Sequence, residues 1–114
     1  MEHRELWVRR LDEVEEERST CGFRKRLLKR DDFEGLSISL LDLHDAKPHH
    51  HAKLTEFYYI VDGRGALEID GEQAAVEKGT LVKIEPGASH RAVGDFTALV
   101  LCVPAFSADD LFLD

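Results

Sequence analysis

Between Leu36 and Val103 the chain is cut at short intervals by turn-forming pairs, and no run between two cuts is long enough to carry a helical stripe. The cuts are Asp62-Gly63-Arg64-Gly65, Asp70-Gly71, Lys78-Gly79, Pro86-Gly87 and Gly94-Asp95. The runs between them alternate apolar and polar residues, as in Leu36-Ser37-Ile38-Ser39-Leu40, or are aromatic and β-branched, as in Phe57-Tyr58-Tyr59-Ile60-Val61. Both patterns suit strands that bury one face. Strands are predicted over 36–40, 57–61, 66–70, 73–77, 81–84, 90–93 and 97–103. Asp70-Gly71 is the strongest hairpin signal, because a tight two-residue turn needs positive φ at both positions. About eight short, evenly spaced strands predict an all-β jelly-roll barrel, which hides strand edges by closing on itself.

The flanks are less patterned. Leu11 and Val14, three apart, predict one short helix over residues 11–18. Residues 104–114 read as a tail packed along the outside. At 114 residues the chain holds one domain over 1–114, with a core at about 36–103 and N-terminal strands and helix before it. A domain this small buries a modest share of its surface. Outward apolar residues such as Leu41 and Leu99 therefore predict a homodimer.

The formal charge of -8 makes a nucleic-acid partner unfavourable. The cluster Arg24, Lys25, Arg26, Lys29 and Arg30 is expected as a solvated strand face in preference to a phosphate site. No apolar stretch is long enough for a helical membrane span, and the charged start lacks the apolar core of a signal peptide, so a cytoplasmic location is expected. Cys21 and Cys102 have no CxxC partner, which argues against a zinc ribbon or a redox dithiol. Cys102 lies in an apolar run and reads as a buried thiol; a single disulfide has no support.

The chemistry concentrates in Pro48-His49-His50-His51-Ala52-Lys53-Leu54-Thr55-Glu56. On an extended strand, residues i and i+2 point to one side, with Cα atoms roughly 7 Å apart. His49 and His51 can thus converge on one ion, with His50 pointing away. A run of three histidines in an exposed polar loop is the alternative at this point. His44 reads as a loop histidine, His3 as disordered, and Trp7 and Phe23 as packing residues of the barrel or of a partner subunit.

Two spacings go further. His49-x-His51-x4-Glu56-x6-Gly63 and Gly79-x7-Gly87-x2-His90 resemble the two sequence motifs of the cupin family. The chain departs from that pattern at three positions: Glu85 where proline is usual, Gly94 where asparagine is usual, and Leu43 where glycine often precedes the first histidine. Pro86 keeps a proline next to the turn. The resemblance spans about residues 36–103. It implies a double-stranded β-helix with little helix, and one divalent transition metal ion held by His49, His51, Glu56 and His90. Three imidazoles and one carboxylate suit Fe, Mn, Ni, Co, Cu or Zn. If Glu56 points inward, Tyr58 and Ile60 share its face and line the substrate pocket.

The chain is similar in style to stand-alone cupins described as like mannose-6-phosphate isomerase, which implies a metal-dependent enzyme of dioxygenase, isomerase or lyase type acting on a small polar or anionic substrate. A non-catalytic small-molecule binding or sensing module is the alternative. A purely structural barrel is disfavoured, because idle histidines inside it are costly polar groups. Fold alone does not fix the reaction.

Overall fold

Glu56 and Ile69 lie thirteen residues apart on one unbroken strand, a span of about 43 Å if that strand were straight. Ile69 is the cross-strand partner of His90, yet the Glu56 carboxylate lies 2.9 Å from the His90 ring. The strand must therefore fold back on itself, and that bend organises the molecule. The structure, a computed structural model, describes residues 5–114.

A single 3-10 turn at Leu11–Glu13 leads into β1 (Glu16–Ser19), β2 (Gly22–Leu28), β3 (Ser37–Leu43), β4 (His49–His50), β5 (Thr55–Ile69), β6 (Glu72–Glu77), β7 (Leu81–Ile84) and β8 (His90–Val103). A second 3-10 turn, Ala108–Asp110, precedes β9 (Phe112–Leu113). The all-β jelly-roll expectation holds: every strand belongs to one antiparallel sheet, curled into a half-barrel. β8 runs through its middle, with β5 along one edge and β3 then β4 in tandem along the other. β6 and β7 follow each other along the far edge of β5. The β1–β2 hairpin extends the sheet beyond β3, and β9 adds to β4.

Two predicted turns are in fact bends within long strands. Residues 57–61 and 66–70 join through Asp62-Gly63-Arg64-Gly65 into β5, and residues 90–93 and 97–103 join through Gly94-Asp95 into β8. β5 and β8 pair across the bend, with a bulge between Ile60 and Asp62 and with Gly65 opposite Gly94. Gly65 is needed for closeness: a Cβ there would stand 2.4 Å from the Val93 carbonyl oxygen and 2.9 Å from the Phe96 ring. The bend turns the first half of β5 to face the half of the sheet that carries β4. By contrast, Asp70-Gly71 is a true hairpin turn, with φ of 49° and 86°.

The predicted helix over residues 11–18 is absent. Only Leu11–Glu13 turns, and Glu16 and Glu17 instead lie opposite Lys25 and Arg24 in the β1–β2 ladder. Two apolar positions give a helix too narrow a face to bury, whereas opposite charges across a hairpin favour the strand.

Register sets what points inward. Arg24, Leu41, Ala98 and Ile60 form one cross-strand row, and Arg26, Ser39, Val100 and Tyr58 form the next. Ser37, Cys102 and Glu56 form a third. Leu41 thus faces the interior and is not an outward contact, contrary to the expectation from its apolarity alone. Leu43, Leu54, Ile60, Leu67 and Phe96 fill the core. Cys21 and Cys102 are both buried free thiols. Trp7 is exposed beneath the Arg9 guanidinium and does not pack into the barrel. His3 lies outside the described residues.

Candidate metal centre

His49, His51, Glu56 and His90 are all buried, and each offers a ligand atom within 4.8 Å of the others. Register accounts for their meeting. His49 on β4 pairs directly with His90 at the start of β8, and their ring centroids are 4.3 Å apart. His51, two residues on, keeps the side of His49, with ring centroids 5.3 Å apart. Glu56 arrives from the opposite half of the curled sheet. His50 points away, stacks on Phe112 and places Nδ1 2.7 Å from the Asp114 carboxylate.

Each imidazole is oriented through its Nδ1, which donates to a main-chain carbonyl. His49 donates to Lys47 at 3.0 Å, His51 to Asp110 at 2.8 Å and His90 to Ala88 at 2.9 Å. With the Nδ1 proton so committed, each Nε2 presents a lone pair to the centre. Glu56 Oε1 lies 2.9 Å from His90 Nε2 and 3.3 Å from His51 Nε2. Among the described residues, neither Glu56 Oε1 nor His90 Nε2 has a hydrogen-bond partner, despite their closeness. Two acceptors driven together in a dry interior call for positive charge between them, supplied by protons or by a cation. The residues present therefore fit a metal ion.

The ionisation of the cluster follows from this crowding. Burial lowers the His49 pKa, and its neighbour His90 adds to the effect. Burial alone would lower His51 too, but the Glu56 carboxylate 3.3 Å from its Nε2 and its hydrogen bond to the Asp110 carbonyl outweigh that and raise it. Burial pushes the Glu56 carboxyl up, and the adjacent His51 and His90 rings outweigh this, holding it down at about 2. Glu56 is thus a carboxylate throughout the neutral range, as a ligand must be.

A cavity of about 570 Å³ opens over the cluster. Tyr58 lines it, fully buried, with burial raising its phenol well above the ordinary range. Ile60 sits one row further along β5, wholly enclosed in the core and not among the lining residues. His44 is a loop residue whose Nδ1 lies 2.7 Å from the Asp95 carboxylate.

Several residues around the site carry no local signal in the sequence. Asp110, in the predicted outer tail, is buried and accepts from the main-chain N–H groups of Ala52 and Lys53 at 2.8 and 3.2 Å. The tail thus clamps the segment after His51 and orients that ring. Cys102 donates its S–H to Glu56 Oε2 at 3.6 Å. Cys21 Sγ lies 3.9 Å from His49 Nε2, and burial raises its thiol to about 11, so it stays protonated at neutral pH. Arg24 and Arg26, expected on a solvated face, line the cavity instead, because strand alternation turns them inward and leaves Lys25 outside.

The sequence profile of the cupin domain matches residues 43–104, more than half of the chain. The chain belongs to the cupin family. It is similar to the uncharacterized protein MJ1618 of Methanocaldococcus jannaschii, 35% identical over a 66-residue alignment that covers 54% of this chain and 53% of that protein. The chain thus spans about half the length of the curated relative it matches. Among solved structures, this cupin resembles a protein from Planctomyces limnophilus, with a TM-score of 0.88 at 24% identity over 96% of this chain and 97% of that one. It also resembles Pac13 of Streptomyces, a nucleoside dehydratase, with a TM-score of 0.83 at 15% identity over 96% and 95% of the two chains. Ectoine synthase from P. lautus superposes with a TM-score of 0.75 at 20% identity over 90% and 80%. At these identities the likeness shows the fold.

Proposed function

We propose that this cupin holds one divalent transition metal ion on His49, His51, Glu56 and His90, and that it is a metal-dependent enzyme acting on a small polar or anionic molecule. The observation that carries this reading is the buried cluster itself: each imidazole commits its Nδ1 to a main-chain carbonyl, and ligand atoms of all four residues lie within 4.8 Å of one another. Bound there, such an ion would polarise a substrate oxygen as a Lewis acid. The chain's own residues supply the rest: a cavity of about 570 Å³, open on one side, suits a small molecule, and the neutral phenol of Tyr58 lines it as a hydrogen-bonding group. Of the dioxygenase, isomerase and lyase types, the fold accommodates at least lyase chemistry, since Pac13 is a dehydratase.

We also propose a homodimer. The convex face carries the cross-strand rows Leu81, Tyr59, Leu99, Leu40 and Phe57, Leu101, Ile38, with Leu81 and Tyr59 well exposed. Pairing two such faces removes apolar surface from water.

Elemental analysis of the purified protein tests the metal reading, with near-stoichiometric metal expected. The His49→Ala and His51→Ala variants should lose the metal and keep the β-sheet circular dichroism spectrum. Full occupancy in the double variant would overturn the assignment. Turnover of any identified substrate that survives complete chelation would exclude the enzymatic part.

A further inference from the structure

The cavity above the metal centre is strongly basic inside an acidic protein. Arg18, Arg24, Arg26, Lys29 and Arg30 line it, against the carboxylates of Asp31 and Glu56, in a chain of formal charge -8. Such a reversal concentrates positive potential at one opening and draws in small anions.

The arginines are not equivalent. Arg26 is held by Glu17, with Nε and a terminal nitrogen 2.7 and 3.1 Å from its two carboxylate oxygens. Arg24 is not held in this way. Its Nε is 3.8 Å from Glu17 and, among the described residues, is buried without a hydrogen-bond partner. Burial lowers its pKa, the mark of a cation that has given up water without gaining a full partner. Phe106 ties this cation to the metal centre, since its ring lies 5.7 Å from the Arg24 guanidinium and 5.8 Å from the His51 ring. One aromatic ring therefore separates this incompletely partnered guanidinium from a residue of the cluster.

We propose that Arg24, supported by Arg26, Lys29 and Arg30, is the binding subsite for a small oxyanion. The substrate then carries a carboxylate or phosphate that this subsite grips, while the opposite end of the same molecule reaches the histidine cluster across Phe106. Glu17 serves as a positioning residue that fixes Arg26 and leaves Arg24 available. A planar guanidinium fork matches either oxyanion. The inference rests on the metal-enzyme reading for the cluster end of the substrate, whereas the anion subsite itself needs no metal.

Chelator-treated protein therefore provides the test. Isothermal titration calorimetry is run with inorganic phosphate, with succinate and, as a neutral control, with ribose. Wild-type protein should bind one anion per chain and should not bind ribose, and the anion with the higher affinity names the substrate's group. Arg24→Gln should weaken that binding by about tenfold or more, as expected for losing a charge-assisted contact. Arg24→Lys should retain part of it, and Lys78→Gln, an exposed lysine away from the cavity, should leave it unchanged. Unaltered metal content in Arg24→Gln would show that the centre is intact. Equal anion binding by wild type and Arg24→Gln, equal losses in Arg24→Gln and Lys78→Gln, or no anion binding by the wild type would overturn the proposal. Absence of metal from untreated wild-type protein would sink the metal reading while leaving this result standing.

Discussion

Replacing Asp110 by Ala removes the two contacts through which the C-terminal segment holds the loop after His51. The carboxylate accepts from the main chain of Ala52 at 2.8 Å and of Lys53 at 3.2 Å, and it is buried. Hydrogen bonds to a charged group contribute about 1.5–3 kcal/mol each. Ala52 and Lys53 are exposed, so water replaces part of what is lost. A net destabilisation of about 2 kcal/mol follows, which for a chain of this size lowers Tm by about 8 °C. The same change frees the Asp110 carbonyl, which accepts from His51 Nδ1 at 2.8 Å, to move with the tail. Loss of such an orienting partner costs about 10–100-fold in metal affinity. Differential scanning fluorimetry of chelated protein reads the first effect, and competition against a metal-binding dye reads the second. Asp110→Asn, which keeps one acceptor oxygen, should fall between. Wild-type Tm and wild-type metal affinity in Asp110→Ala would refute the reasoning.

Three further outcomes are expected. Gly65→Ala forces a Cβ against the Val93 carbonyl at the bend and should cost about 2–3 kcal/mol in urea denaturation, whereas Gly71→Ala, with open space around it, should cost only about 1 kcal/mol through its positive φ. The Arg9 hydrogen bond, aided by the Lys29 main-chain N–H, lowers the Asp32 carboxyl to about 2. A lowered carboxylate stabilises the fold above its ordinary value near 4, and the contribution is lost as pH falls towards 2. Since Arg9 covers Trp7, the sole tryptophan, fluorescence should change across that window in wild type, and Asp32→Asn should show the altered signal already at pH 7. Tyr59→Glu places a charge in the middle of the convex apolar face and should yield a monomer by light scattering; an unchanged dimer would move the interface elsewhere.

The sequence makes one part of the site legible and hides the other. The His49–His51 pair is readable because strand parity is local: i and i+2 share a side wherever the chain is extended. The approach of Glu56 to His90 is not local, since it depends on two long strands bending back. Glycine marks a bend and a hairpin alike, so Gly63, Gly65 and Gly94 were indistinguishable from turn residues such as Gly71. What separates them is closeness to a neighbouring backbone, which composition does not reveal. The same limit applies to Asp110, whose partner Ala52 is 58 residues away. Arg24 and Arg26 form a middle case: they alternate with Lys25 along the chain, but which face of β2 looks inward depends on its pairing with Ser39 and Leu41 of β3.

Anomalous diffraction from crystals of the untreated protein, collected at the absorption edge of the metal found by elemental analysis, addresses the central claim most directly. The account predicts a single peak bonded to the three Nε2 atoms and the Glu56 carboxylate at about 2.0–2.3 Å. A cluster with no peak, or a peak bound by other residues, would contradict it.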